Sequence, residues 1–308
     1  MKHVQLGNSD LTVSEIALGC MRMDKLDTKD AVRVLNTATE SGINFFDHAD
    51  IYGRGESEER FANALKETSL KREDMIIQSK AGIRFGWYDF SKEHLVKAVE
   101  GSLKRLGTDY LDVFLLHRPD ALVEPEEVAE AFNELESQGK VRHFGVSNHS
   151  PYQIELLKTA VKQDLVANQL QMSVMYTGMI DTGIHVNTKH PHSIDHDRAI
   201  LDYCRMNKIT IQPWSPVQGY NDKGERGIFL NNPDYDNINN VLKEMGSKYG
   251  IDHEAMSIAW LLRHPAKMQV ILGTMTPERI ENYCRASGVT ISREDWYTIY
   301  REAGNPVP

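Results

Sequence analysis

Short apolar runs and amphipathic stretches alternate along most of the chain. Residues 13–19, 43–46, 75–79, 111–116, 143–146, 166–170, 209–212 and 269–272 read as eight buried strands. Between them, apolar positions recur with the helical period. In 28–42, Ala31, Val34, Leu35 and Ala38 share one face. The helix 57–66 opens on Glu58 and Glu59, which suit its positive end. Further helices are predicted over 91–106, 125–138, 151–161, 195–206, 237–250, 254–264 and 277–286, and a last one over 292–302 closes the chain. Two connections are long, 171–194 and 215–236. Loops of such length in a compact fold usually carry function.

Eight strands separated by helices admit a closed (β/α)8 barrel or a large doubly wound sheet. No Gly-x-Gly-x-x-Gly follows any strand, so the dinucleotide fingerprint of the open sheet is missing. Residues with chemistry stand at many strand ends instead of one switch point. The pattern therefore predicts a single-domain α/β TIM barrel over residues 1–308, with its active site at the carboxyl-terminal rim of the strands.

Composition narrows the classes. Hydrophobic residues make up 41% of the 308, enough for a sizeable core, and the net charge of -9 disfavours nucleic acid or anionic membrane as a partner. The start carries no apolar signal segment, and no run is long enough to span a bilayer. Cys20, Cys204 and Cys284 are widely spaced and odd in number, as expected of buried free thiols in a reducing compartment. A cytoplasmic protein is the expectation.

The chemistry gathers at strand ends. Asp47 follows 43–46, Tyr52 stands five residues later, Lys80 ends 75–79 and His117 ends 111–116. Neighbouring strands of a barrel would bring these four together. Taken singly, a loop tyrosine is usually packing and a strand-end lysine a surface residue; the joint placement on strands two, three and four is what points to a site. A tyrosine donates a proton well only if its pKa of ~10 falls toward neutral. An ammonium at ~4 Å, at an effective dielectric near 20, attracts a phenolate by about 4 kcal/mol, roughly three pKa units before burial is subtracted. Asp47 would serve as the counter-ion of Lys80, and His117 would orient a carbonyl. Ser147, Asn148 and Gln169 end the fifth and sixth strands and offer groups for a nicotinamide carboxamide. Trp214 ends the seventh and offers a stacking face, with core packing as the less favoured alternative. Gly273 and Thr274, followed by Pro277 and Arg279 at a helix start, suit a phosphate.

These residues carry a resemblance to the aldo-keto reductases, and to their bacterial oxidoreductase branch. Asp47-His48-Ala49-Asp50-Ile51-Tyr52-Gly53 resembles the family's first signature, and Gly139-Lys140-Val141-Arg142-His143-Phe144-Gly145-Val146-Ser147-Asn148 its second. Trp214-Ser215-Pro216, the segment 273–280 and His117-Arg118-Pro119-Asp120 are similar to further family motifs. His48 replaces the commoner threonine, and Leu272 stands where many members have proline.

The resemblance implies NADPH as cofactor, a small-molecule carbonyl as substrate, and a catalytic tetrad of Asp47, Tyr52, Lys80 and His117. It implies cofactor contacts from Gly19, Met21, Asp47, Ser147, Asn148, Gln169 and Trp214. The pyrophosphate loop would be Ser215, Pro216, Val217, Gln218 and Gly219; the adenosine end would meet Gly273, Thr274, Met275, Thr276, Arg279 and Asn282. Met21, Trp87 and Tyr88 are expected beside Tyr52 and His117 as walls of a substrate pocket.

Two other functions compete. Some family members are redox-sensing regulatory subunits of potassium channels, which bind NADPH with little turnover. A metal-dependent barrel hydrolase would use His48, Asp50 and His117. His185, His190, His192 and His196 also suggest zinc, but their irregular spacing and the lack of cysteine favour a solvated loop. No metal is expected. The acidic run Glu124, Glu126, Glu127 and Glu130 reads as a solvated first helical turn. Substrate, reaction direction and oligomeric state are not written in the chain.

Overall fold

The computed structural model describes residues 1–220 and 224–307. Residues 221–223, inside the second long connection, lie outside that range. The chain opens with an antiparallel hairpin of β1 (His3–Gln5) and β2 (Thr12–Ser14). The barrel strands are β3 (Ile16–Gly19), β4 (Phe45–Asp47), β5 (Ile76–Ala81), β6 (Leu111–Leu116), β7 (Val141–Ser147), β8 (Leu165–Gln171) and β9 (Thr210–Trp214). A second hairpin, β10 (Gln218–Tyr220) and β11 (Arg226–Ile228), precedes the last barrel strand, β12 (Val270–Leu272). The eight barrel strands run parallel in the order β12-β3-β4-β5-β6-β7-β8-β9. The Gln269 amide donates to the Ile211 carbonyl at 3.1 Å, which joins the two outer strands and closes the ring.

The helices are α1 (Thr28–Glu40), α2 (Glu56–Lys66), α3 (Lys92–Leu106), α4 (Pro125–Ser137), α5 (Pro151–Lys158), α6 (Gly178–Ile184), α7 (Ile200–Met206), α8 (Asp236–Tyr249), α9 (His253–Leu262), α10 (Pro277–Cys284) and α11 (Arg293–Glu302). Local chemistry sets several starts. Asp27, Ser91, Asp252 and Ser292 each accept a backbone N–H in the first turn of the helix that follows. Outside the barrel, Trp260 of α9 and Trp296 of α11 stack at 4.8 Å between ring centroids. Each indole N–H donates to the other residue's carbonyl at 3.0 Å, so neither buried donor is orphaned.

Strand alternation splits the core in two. Outward side chains such as Ile16, Leu18, Phe46, Ile77, Phe114, Leu116 and Val146 meet the helices. Inward ones, Ala17, Phe45, Val113, Leu115, Ala167 and Ile271, pack with Leu6 and Val13 from the first hairpin, which plugs the amino-terminal end. Gly7 makes that plug fit: its φ of 55° is left-handed, and a Cβ would run into the Val166 carbonyl. Above this apolar layer the interior turns polar, with Asp47, Gln78, Lys80, Gln169 and Gln212 all buried, while the buried Gln269 reaches down to the hairpin.

The structure departs from the sequence pattern in four places. The expected strand 13–19 breaks at Glu15 into β2, paired with β1, and β3, paired with β12 and β4. The helix expected from 195 begins at Ile200, because Asp195 Oδ1 collects the amides of Asp197, Arg198 and Ala199 in a turn. Arg198 and Ala199 have left-handed φ values of 59° and 55°, which no helix accepts. The two long connections contain α6 and the β10–β11 hairpin.

Candidate active site

Four side chains expected to converge do so at the carboxyl-terminal ends of β4, β5 and β6. Asp47, the last residue of β4, points inward. Gln78 and Lys80 point inward from β5, while Ser79 between them faces Glu58 of α2 and donates to its Oε1 at 2.7 Å. Lys80 Nζ is fully buried and donates to Asp47 Oδ1 at 2.6 Å and to the His48 carbonyl at 2.7 Å. It also lies 5.1 Å from the centroid of the Tyr52 ring. Tyr52 opens a tight turn, Tyr52–Gly55, in which Gly53 and Arg54 take left-handed φ values of 56° and 57°. The Tyr52 and His117 rings meet edge to face with centroids 5.9 Å apart.

Burial dominates the electrostatics. Burial pushes the Tyr52 phenol up, Lys80 pulls it down and Asp47 pushes it up again, for a net rise above its ordinary value. The expected fall toward neutrality is therefore not what the site shows: Lys80 offsets only part of the cost of burial, and Tyr52 stays a protonated phenol. For Lys80, burial pulls the ammonium down, but Asp47 and Tyr52 outweigh it and the net shift is upward. His117 is held well below its usual value by burial, then by Lys80 and Arg118, so its imidazole is neutral. Its Nδ1 is buried without a hydrogen-bond partner.

A pocket of about 600 Å³ opens above this cluster. Its wall contains Gly19, Met21, Asp47, Tyr52, His117, Ser147, Asn148, Gln169 and Trp214, as expected, and continues through Ser215, Pro216, Val217 and Gln218 to Gly273, Thr274, Met275, Thr276 and Arg279. Asn148, at a left-handed φ of 59°, donates through Nδ2 to Ser147 Oγ at 2.7 Å and accepts the Trp214 indole N–H at 3.2 Å. That bond tethers the Trp214 indole at the pocket wall.

Several expected residues lie elsewhere. Gly219 is in β10 but off the pocket wall, pressed against Met175. Asn282 turns to Asp252 Oδ1 at 3.3 Å and does not line the pocket. Trp87 and Tyr88 also stand off the wall and are exposed. Their loop folds back on itself, with Arg84 N–H on the Trp87 carbonyl and Asp89 N–H on the Gly82 carbonyl, both at 2.9 Å, which turns the rings to solvent. His48 faces away from the pocket: it is fully buried, packs edge-on against Phe61 at 4.6 Å, and burial lowers its pKa to about 3. Among the described residues, His48, Asp50 and His117 do not come together as a group that could share a metal ion, as the hydrolase arrangement would need.

The structure adds wall residues that the sequence reading missed: Arg22, Lys25, Arg118, Arg226, Glu254 and Tyr283. Arg118 and Arg226 each place their guanidinium 5.5 Å from the Trp214 ring centroid. Arg279 approaches Glu254 at 3.8 Å and not a carboxylate of its own helix. Arg22 donates to the Gly273 carbonyl at 2.7 Å. Gln78 is the other omission. Its Nε2 donates to Asp47 Oδ1 at 2.6 Å and to Gln212 Oε1 at 3.0 Å. The signal was present: Gln78 interrupts an apolar strand two residues before Lys80, and so shares its face.

A buried lysine–carboxylate pair thus lies under a phenol and an imidazole at the rim of a (β/α)8 barrel. The chain belongs to the aldo/keto reductase family, whose signature matches residues 15–301. It is 33% identical over 315 aligned positions to the uncharacterized oxidoreductase YcsN of Bacillus subtilis, with 97% of each chain covered. It is also 33% identical over 313 positions to a 6-dehydroglucose reductase of Agrobacterium fabrum, again with 97% of each covered. Among solved structures, an aldo-keto reductase from Klebsiella pneumoniae in complex with NADPH shares the fold with a TM-score of 0.78 at 23% identity, covering 99% of this chain and 96% of that one. Among the described residues, no helix is long and apolar enough to cross a membrane.

Proposed function

We propose that the protein is an NADP-dependent reductase that converts aldehyde or ketone carbonyls to alcohols, with Tyr52 as general acid. One observation carries the reading. Lys80, without solvent contact, is locked to Asp47 at 2.6 Å beneath the Tyr52 ring, at the base of a pocket that runs to Arg279. The donor set fits a nicotinamide dinucleotide. Trp214 offers a ring held by Asn148; Ser147, Asn148 and Gln169 offer amide and hydroxyl groups; Arg279 and the start of α10 suit a phosphate. Bound there, the cofactor would supply the hydride.

The chain's own residues handle the proton. Tyr52 holds it on Oη, because burial keeps the phenol neutral. As negative charge develops on the carbonyl oxygen, Tyr52 releases the proton to it, and the ammonium of Lys80 stabilises the phenolate left behind. Asp47 keeps Lys80 charged and fixed. His117, neutral, orients the carbonyl oxygen toward Oη. Arg118 and Arg226 give the pocket mouth a cationic, hydrogen-bonding rim, which favours an oxygen-rich carbonyl compound such as a sugar aldehyde. The name of one relative points to the same class.

The test is a panel of aliphatic, aromatic and sugar aldehydes with NADPH and NADH, followed by cofactor absorbance. Turnover of at least one class with NADPH supports the reading. Tight NADPH binding with no turnover of any carbonyl would favour a redox-sensing role instead.

A further inference from the structure

We propose a second site in this protein, a three-histidine centre for a borderline divalent metal ion such as Zn²⁺, formed by His185, His190 and His192 on the connection between α6 and α7. The segment is largely exposed, as expected from the sequence, but three of its four histidines come together on it. One ring nitrogen from each lies within 4.8 Å of the other two. The ring centroids are 4.3 Å apart for His185 and His190, 4.9 Å for His190 and His192, and 5.7 Å for His185 and His192. Tetrahedral Zn–N bonds of ~2.0–2.1 Å set the nitrogens about 3.3 Å apart, so the rings close by roughly 1.5 Å at most around an ion. Among the described residues, no other group of three or more potential ligands is this close.

Two atoms have no other use. His185 Nε2 and His192 Nδ1 are buried and lack any hydrogen-bond partner. Buried imidazole nitrogens without partners are costly, and a metal ion satisfies them. His190 Nδ1 accepts the His192 amide at 3.2 Å, which sets the two rings beside each other.

The scaffold holds the rings in place without a metal. His185 follows the last residue of α6, and its amide donates to the Asp181 carbonyl at 2.9 Å. Asp181 is itself anchored, accepting from Tyr300 of α11 at 2.6 Å and from Thr177 at 3.0 Å. Thr188 staples the turn: its Oγ1 donates to the His185 carbonyl at 2.8 Å and accepts the His190 amide at 3.2 Å. Pro191 starts a 3₁₀ turn, Pro191–Ser193, that brings His192 back toward His190. Three imidazole ligands suit zinc, nickel, cobalt or copper and not the oxygen-seeking calcium or magnesium. Three ligands leave a fourth position for water or a small anion. None of the three histidines lines the carbonyl pocket, so the centre would brace the α6–α7 connection against the end of α6 without entering that chemistry.

The experiment titrates chelator-stripped, tag-free protein with Co²⁺ and reads the visible d–d absorption, then adds Zn²⁺. We expect saturation at one ion per chain, a band of tetrahedral intensity, and its loss on adding one equivalent of Zn²⁺. His190→Ala and His192→Gln, both on a surface loop, should each weaken Co²⁺ binding at least tenfold while the circular dichroism spectrum and melting temperature of the metal-free protein stay at the wild-type values. Those unchanged values show that each variant folds. Absence of a saturable band, or a band that persists unchanged in both variants, overturns the proposal. Neither outcome depends on carbonyl turnover, so this site and the reductase reading fail independently.

Discussion

Gln78 and Asp47 are joined inside the barrel, Nε2 to Oδ1 at 2.6 Å, and that one carboxylate oxygen also receives Lys80 Nζ at 2.6 Å and Gln169 Nε2 at 3.1 Å. The amides continue downward. Gln78 and Gln169 both donate to Gln212 Oε1, Gln212 donates to Gln269 Oε1 at 2.8 Å, and Gln269 donates to the Ser14 carbonyl at 2.8 Å. A line of side-chain amides thus runs from the proposed catalytic carboxylate to the hairpin that plugs the barrel. Gln78→Met keeps the bulk and removes the donor. Hydrogen bonds to charged groups contribute about 1.5–3 kcal/mol, so kcat should fall about 10- to 100-fold as Asp47 and Lys80 lose their fixed geometry. NADPH affinity should hardly change. Steady-state kinetics and a fluorescence titration check both; an unchanged kcat would mean that Gln78 only fills the barrel.

Tyr52→Phe removes one oxygen and no packing. General acid catalysis contributes ~10²–10⁴-fold, and carbonyl reduction should fall within that range while NADPH still binds. Because burial raises the phenol above its ordinary pKa, wild-type reduction should show no loss from Tyr52 ionisation between pH 6 and about 9. A rate that drops through neutral pH as the phenol ionises would contradict the neutral phenol described for the site.

Lys80→Met takes away the stabiliser of the phenolate and leaves Asp47 as a buried, uncompensated carboxylate. Activity should fall at every pH, and stability should drop by about 3–5 kcal/mol, as when one partner of a buried pair is removed. The double change Asp47→Asn with Lys80→Met should restore much of the melting temperature and none of the activity. If the double variant melts no higher than Lys80→Met alone, the pair does not account for the loss.

How far the chain announced this site depends on the residue. Asp47, Lys80 and His117 were legible because each stops an apolar run, and Tyr52 because it follows Asp47 in a dense motif. Gln78 shared the face of Lys80 two residues on, but Gln212 and Gln269 carried no such signal, since a glutamine in a strand looks like a defect until neighbouring strands show that these amides hydrogen-bond in a line. Arg118 reaches the pocket from the loop after β6, and Arg226 as the first residue of the short strand β11. Trp87 and Tyr88 failed because composition does not say which way a loop aromatic turns. The histidines of 185–192 have no regular spacing, and their meeting depends on where α6 ends and on the turn at Pro191.

Asp50 gives a stability prediction. Burial, then the nearby Glu58, raise its pKa from 3.8 to about 7, and its Oδ1 has no hydrogen-bond partner. A carboxyl whose folded pKa is raised binds more protons folded than unfolded between those two values. Stability should therefore fall as pH rises from about 4 to about 7, by at most roughly 1.4 kcal/mol per pH unit from this group. Asp50→Asn removes the titration, so it should flatten that slope and raise the melting temperature most at pH 8. Urea unfolding at pH 5 and pH 8 reads the difference; equal effects at both values would show that Asp50 does not titrate in this window.

Arg279 and Glu254 together set the expected cofactor preference. Arg279 is half-exposed on the pocket wall, 3.8 Å from Glu254, a distance too long for a hydrogen bond. Its guanidinium is thus poised near a carboxylate without being committed to it. On the proposed reading it meets the 2′-phosphate of NADPH through paired, charge-assisted hydrogen bonds, which NADH cannot offer. Arg279→Ala should weaken NADPH by about 1.5–3 kcal/mol, roughly 10- to 150-fold, and leave NADH nearly unchanged. Glu254 adds a second, opposite arm. Its carboxylate lines the same end of the pocket and repels a phosphate, so Glu254→Gln should tighten NADPH several-fold and shift NADH little. Asn231 Nδ2 donates to Glu254 Oε1 at 3.0 Å, and glutamine keeps that acceptor, so the local fold should survive. Fluorescence titration of the wild type and both variants with each cofactor decides the matter. Opposite movements of NADPH affinity in the two variants would identify this end of the pocket as the reader of the phosphate, and parallel losses for both cofactors would assign Arg279 to holding α10 against α9.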